Sequence, residues 1–352
     1  MTTPLASVTR LARLHARLEE PFLVSSLVNV RYLTGLDSSN AALLLEAGRS
    51  RLYTDFRYLE RARALGTIDE VVETRRDVYA SLAELLSGTI AFEPAVLTYD
   101  RYALLEAGGV RLVPRPGVIE AERAVKDAEE LAVIRRAAAV TNAAYERLAG
   151  ERFVGRTERE LAWTMQCLLH DLGGEEAAFD IIVAAGPTGA SPHAVPGERR
   201  IEPGETVVVD AGCRVGGYCS DCTRTFATGK LQPELARAYE VVRRAQERGL
   251  AAVRPGADSK DVDRAARDVI AAAGLGEAFG HGLGHGVGLE IHEAPWLNPE
   301  RPSVLAAGNV VTVEPGVYLP GLGGVRIEDL VVVADGGPEV LTSFTKELVT
   351  VG

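Results

Sequence analysis

The 352-residue sequence is poor in cysteine, tryptophan, methionine and histidine, with 4, 2, 2 and 6 copies respectively. Four cysteines (Cys167, Cys213, Cys219 and Cys222) cannot build a disulfide framework in a chain this long, and a reducing, cytoplasmic setting is expected. No apolar run approaches the roughly 18 residues of a membrane span. The opening MTTPLASVTRLARLHARLEE has helical spacing but lacks the charged-apolar-small order of a secretion signal, so none is expected. Positive charge is in the minority: 38 Lys and Arg face 49 Asp and Glu, for a net charge of −11. That balance argues against nucleic acid or an anionic membrane surface as the main partner. What is present, 47% hydrophobic and 25% charged residues, is an ordinary globular composition. The length suggests about two domains, each with its own core.

Along the first 125 residues, helical and strand-like stretches alternate without a catalytic cluster. Thr9–Glu20 reads as an amphipathic helix, Phe22–Val24, Ala41–Leu45 and Arg51–Thr54 as buried strands, and Phe56–Leu65 as a helix. Pro114-Arg-Pro-Gly117 breaks the pattern, and a long charged helix is expected over Ala121–Ala149. The domain boundary is placed near residue 125.

The rest contains a weak internal repeat. Gly155, Glu160, Leu161 and Gly173 match Gly256, Asp261, Val262 and Gly274 at an offset of 101. At an offset of 104, Glu202–Gly212 matches Ala306–Gly316, each copy reading as a turn, a β-branched strand, an acid and a glycine. At 107, Gly217–Asp221 matches Gly324–Glu328. Each half thus offers two carboxylates on neighbouring strands, Asp210 with Asp221 and Glu314 with Glu328.

An acid ending a buried Val-Val-Val run is costly unless paired or bound to metal. Any one of these acids could cap a turn or pair with Arg214, Arg224 or Arg326. Four in symmetry-related places point instead to one inward-facing cluster, whose charge one or two divalent ions would balance. Three histidines lie in Gly280-His-Gly-Leu-Gly-His-Gly-Val-Gly-Leu-Glu-Ile-His292. The spacing of His281 and His285 is that of a helical zinc motif, but Gly282 replaces its general-base Glu and the glycines disfavour a helix. An extended segment with its backbone close to a ligand is expected. Phosphate cradling would need a Lys-Ser/Thr ending that is missing. A neutral imidazole from this segment suits a fifth ligand position beside four carboxylates. His193 follows a Gly-rich loop and could join the same site. Cys219 and Cys222 read as packing residues, since strand periodicity points them to opposite faces.

These residues resemble the "pita-bread" metallopeptidases: methionine aminopeptidase, Xaa-Pro aminopeptidase and Xaa-Pro dipeptidase (prolidase). The matching pieces are Pro192-His193-Ala, Val-Val-Asp210-Ala-Gly with Gly217–Thr225, Gly284-His285-Gly-Val-Gly, Ile-His292-Glu-Ala-Pro, Thr-Val-Glu314-Pro-Gly and Val-Arg326-Ile-Glu328-Asp. Tyr32-Leu-Thr-Gly, Ser39–Leu45 and Tyr53–Tyr58 resemble, more weakly, a creatinase/prolidase accessory domain, which points to the proline-specific branch. The resemblance implies an α+β fold: a pita-bread catalytic domain over 126–352, preceded by a smaller α/β creatinase-type domain over 1–125. It implies two divalent metal ions, manganese first, with cobalt or zinc as alternatives. Asp210, Asp221, His285, Glu314 and Glu328 would be the ligands, with Asp221 and Glu328 bridging.

The implied reaction is hydrolysis of the bond preceding proline in Xaa-Pro dipeptides, or removal of the first residue from longer Xaa-Pro peptides. Water activated by the metals attacks, and Glu314 relays its proton. His292 and His193 bond the oxyanion and substrate. Arg326, two residues before Glu328 on one strand, ties that acid or the substrate terminus. His281 orients neighbours or lines the proline pocket. Some prolidases place Arg after the His-Glu-x-Pro segment to grip a dipeptide carboxylate, whereas here Trp296 offers apolar packing. A ligand-stripped binding module is disfavoured because all five ligand positions are filled. A homodimer is expected from the resemblance.

Overall fold

The computed structural model describes residues 8–352, which form two compact units, one extending through Arg123 and one from Ala124 to Gly352. No helix among the described residues is long and apolar enough to cross a membrane.

The first unit is built on one six-stranded mixed sheet, ordered Glu70–Thr74, Arg49–Asp55, Ala41–Glu46, Phe22–Val24, Gly88–Phe92, Val110–Pro114. The central strands are apolar on both faces because helices cover them; Phe22, Leu23, Leu43 and Leu45 are fully buried. Two helices are shorter than their patterns suggested. The first described helix spans Val8–His15, and Phe56–Leu65 yields only Leu59–Arg63. The expected Ala121–Ala149 helix is two helices, Val118–Ala124 and Ala128–Leu148. Asp127 causes the break: extended at φ −79°, ψ 174°, it accepts the Glu130 N–H while Glu130 accepts its own. This reciprocal cap satisfies two helix-start donors and starts a new helix.

The second unit shows the duplication at the level of architecture. In the first half, Thr206–Asp210 pairs antiparallel with Thr223–Ala227 and with Ile182–Ala185. In the second, Val310–Val313 pairs antiparallel with Asp329–Val332 and with Gly284–Gly286. Each half brings two helices, Ala128–Leu148 with Glu158–Asp171 and Pro233–Ala252 with Ser259–Ala272. The second helix of each pair stops short of a left-handed glycine, Gly173 at φ 103° and Gly274 at φ 75°. In the second half the apolar faces of its helices (Val242, Ala245, Val262, Ile270) bury against Val311, Val313 and Val325. Burying these faces leaves the strand ends, with their acids, as the polar exit from the core.

Candidate metal centre and active site

The four acids flank their strands. Asp210 is the last residue of its strand and Glu314 directly follows its own. Asp221 and Glu328 sit just before the returning strands, so neither lies on a strand as the repeat had suggested. A two-stranded hairpin separates the acids of each pair: Cys213–Val215 with Tyr218–Cys219, and Gly316–Leu319 with Gly323–Arg326. The strand of Arg326 therefore ends before Glu328, and its guanidinium reaches the other half of the repeat. It donates to Asp210 Oδ2 (2.6 Å), the Tyr318 hydroxyl (2.9 Å), Thr223 Oγ1 (3.1 Å) and the Pro192 carbonyl (3.2 Å). Of the other candidate arginines, Arg224 pairs with buried Asp329 and Arg214 with Glu176, so neither neutralises the acidic cluster.

The acids converge. Ligand atoms of Asp221, His285 and Glu328, all three buried, lie within 4.8 Å of one another. His285 Nε2 is 3.2 Å from Glu314 Oε1 and 3.6 Å from Asp221 Oδ2. Its Nδ1 donates to the Gly286 carbonyl (3.1 Å), which fixes the tautomer and turns Nε2 toward the carboxylates. Thr223 Oγ1 donates to Glu328 Oε2 (2.8 Å). The segment carrying His285 is extended, as expected from its glycines, but they admit neighbouring strands. A β-carbon at Gly284 would fall 2.1 Å from the Thr312 carbonyl oxygen, and one at Gly286 would fall 2.2 Å from that of Ala294.

The electrostatics are those of a site short of positive charge. Burial, compounded by the charges of Asp210 and Glu314, pushes Asp221 and Glu328 well above the carboxylate range. Burial and Glu314 also raise Asp210, against the pull of Arg326. For His285 burial works the other way, but the hydrogen bond and charge of Glu314, with Asp221, outweigh it and lift the ring to about 9. Glu314 in turn, despite burial, falls to about 2 beside that imidazolium. Protons thus stand in for cations. Asp210 Oδ1 is buried with no hydrogen-bond partner among the described residues. An orphaned carboxylate oxygen, three further carboxyl groups and an imidazole nitrogen at one point are a donor set that fits divalent metal.

The cluster lines a cavity of about 530 Å³ together with His193, His281, His292 and Trp296. His292 meets the His285 ring edge-on at 4.3 Å and lies nearly parallel to Trp296. Burial, with the charge of His285, lowers His292; burial also lowers His281, so both rings are neutral near pH 7. His281 Nδ1 donates to the Gly282 carbonyl (2.8 Å), leaving Nε2 to accept from the Tyr318 hydroxyl (3.0 Å). His193 is exposed at the rim, on a loop held by the Arg326 bond to Pro192. Buried Glu158 clamps both arms of that loop, accepting from Ala185 N, Gly197 N and the Thr188 hydroxyl.

Nothing in the sequence alone marks Tyr318, Thr223 or Glu158 as part of the site. No spacing rule joins Thr223 to Glu328 or Glu158 to Gly197; Thr223 could only have been suspected from its place opposite Asp210 in the strand pair. Cys213, Cys219 and Cys222 are free and buried, and burial pushes the Cys219 thiol up to about 12. Cys167, on the helix Glu158–Asp171, is half-buried.

Comparison with known proteins identifies the family. The model of metallopeptidase family M24 matches residues 132–335, and that of the creatinase/prolidase N-terminal domain matches residues 10–125. The chain belongs to metallopeptidase family M24. Its relatives include the uncharacterized peptidase YqhT of Bacillus subtilis, 36% identical over 93% of this chain and 94% of that protein. Among solved structures, the Xaa-Pro dipeptidase from Bacillus anthracis superposes with a TM-score of 0.94 at 35% identity, covering 98% of this chain and 100% of that one. The X-Pro aminopeptidase from Thermotoga maritima does so with a TM-score of 0.87 at 31% identity, covering 96% and 100%. As an M24 metallopeptidase the chain is a hydrolase that works with divalent metal ions, and the carboxylate–imidazole cluster is the part of it suited to hold them.

Proposed function

We propose that this M24 metallopeptidase hydrolyses the bond preceding proline in Xaa-Pro dipeptides, with residues 126–352 as its catalytic domain and 1–125 as an accessory domain. The observation that carries this reading is the convergence of Asp221, His285 and Glu328, with Glu314 and Asp210 beside them, on the floor of the cavity. These five side chains would hold two divalent ions. Manganese is favoured by the oxygen-rich donor set, and cobalt or zinc would also be accepted. When bound, the ions supply Lewis acidity and an activated water. Glu314, paired with His285 across 3.2 Å, is the acid placed to move a proton. Glu314 then takes a proton from the attacking water and returns it to the proline nitrogen. Neutral His292 bonds the developing oxyanion, while His193 at the rim and His281 position the substrate backbone. Arg326 orients Asp210, and its contact with Pro192 holds the His193 loop. A homodimer is proposed from the family likeness. A reducing, cytoplasmic location is proposed from the four unpaired thiols.

One feature favours a second reading, an aminopeptidase acting on longer Xaa-Pro peptides. The arginine among the cavity-lining residues, Arg326, is already committed to Asp210, and Trp296 offers no charge to a dipeptide carboxylate. Chelated protein reloaded with Mn²⁺ or Co²⁺ separates the two. Faster turnover of an Xaa-Pro dipeptide than of an Xaa-Pro-Yaa tripeptide supports the dipeptidase. The reverse order moves the chain to the aminopeptidases, and turnover of neither refutes both.

A further inference from the structure

Lys126 and Glu293 form an ion pair 2.7 Å long inside the catalytic unit, with side chains only 0% and 7% exposed. Neither belongs to the five proposed ligands or contacts the cavity. Taking two charges out of water often costs as much as their attraction returns, so stability alone is a weak account of the pair. What it holds in place is a better one.

Glu293 opens the strand Glu293–Leu297, directly after His292 and opposite Gly286. Its carboxylate lies against the backbone of Gly288, where a β-carbon would fall 2.3 Å from Oε1. A side chain at the third glycine of Gly284-His-Gly-Val-Gly288 would have to displace the Glu293 carboxylate from the place where Lys126 holds it. The Gly288 N–H donates to the Glu290 carbonyl (3.0 Å), and its own carbonyl accepts from Cys219 N (2.8 Å), two residues before Asp221. The loop 286–293 is thus closed around the Glu293 carboxylate, and His292 leaves it with its ring edge-on to His285. Lys126 is fixed at the other end: it sits in the helix break before the Asp127 cap, and its N–H donates to the Gly308 carbonyl (2.9 Å).

We infer that Lys126 is a positioning residue: through Glu293 it locks the loop 286–293, and with it the His292 ring, against the segment that leads to Asp221. Its kinetic consequence rests on the proposed Xaa-Pro hydrolysis, but its structural consequence does not. A loop released from this anchor changes the angle of His292 over His285, and misplacement by about 1 Å can cost about 10²-fold in rate.

The test is the double variant Lys126→Met/Glu293→Gln, which removes both charges while keeping size, made in a Trp163→Phe background. The chain has 2 tryptophans, and Trp163 is 63% exposed, so Trp296, stacked on His292, becomes the sole indole. Expected are retained folding and metal content, a kcat on an Xaa-Pro dipeptide lower by about 10²-fold and a KM within about threefold of the parent. Acrylamide quenching of Trp296 should also rise. If the double variant does not fold, Glu293→Gln alone, which keeps an acceptor for Lys126, is measured in the same way. Unchanged kcat and quenching overturn the inference, as does a kcat loss matched by lost metal. A parent protein inactive on every Xaa-Pro peptide sinks the proposed function instead, and the quenching comparison then still decides the role of Lys126.

Discussion

In the first half of the catalytic unit, Asp210 ends its strand against Arg326, a side chain that stays charged at any working pH. In the second half, Glu314 ends the equivalent strand against His285, which is a cation only while it holds a proton. The strands, hairpins and acids correspond, but the counter-charges do not. A permanent partner suits a carboxylate whose task is to stay in place, whereas a titratable partner suits one that must release and accept protons. Duplication supplied two similar acid pairs, and their neighbours divided the work.

The sharpest way to break this division is to remove a residue that both halves share. Asp221→Ala takes away a carboxylate 3.6 Å from His285 Nε2 and within reach of Glu328, and is expected to abolish turnover and metal retention together, read by metal analysis of the purified variant. Next in size, Glu314→Gln should cut kcat by about 10²–10⁴-fold, the usual value of a positioned acid–base group, and more than Asp210→Asn does at saturating metal. Equal losses in kcat would erase the contrast between the halves. Thr223→Val removes the donor to Glu328 and the contact with Arg326, and should cost about 10–100-fold in metal affinity, measured by calorimetry. The smallest effect is a dependence of stability on pH. Metal-free His285, lifted to about 9, contributes stability that is complete below about pH 6.5 and lost as pH rises through 9. Asp221 and Glu328, raised above the carboxylate range, act in the same direction, because the folded chain keeps protons that the unfolded chain has released. The melting temperature of chelated protein should therefore fall between pH 6 and 9. That of metal-loaded protein should fall less, and identical slopes would show that protons and metal do not compete for this cluster.

Much of the site could be read from the sequence because its signals are local. An acid ending a β-branched run, a glycine after it and a second copy about a hundred residues on are all visible in one dimension. The glycine-rich histidine segment was rightly expected to be extended, but its glycines serve neighbouring strands at Thr312 and Ala294, a close approach that pattern alone does not reveal. Helix ends were missed where a side chain competes with periodicity, as Asp127 does by capping itself into a new start. The supporting residues were invisible for a different reason. Thr223 reaches Glu328 across 105 positions and Lys126 reaches Glu293 across 167, and only the completed fold brings either pair together.

The thiols beside the site have a practical consequence. Cys219 and Cys222 bracket Asp221, yet both are buried and held protonated by their surroundings, and Cys213 is buried as well. Thiolate is the form that alkylating agents, oxidants and soft metals attack, so these three positions are shielded from all of them. Only Cys167 offers a partly accessible sulfur. A maleimide dye should therefore couple at one position per folded chain, on the helix Glu158–Asp171, and report on the protein without touching its chemistry. The sulfur to protect during purification is therefore that of Cys167, and a non-thiol reductant does so without competing for the ions the carboxylates are arranged to hold.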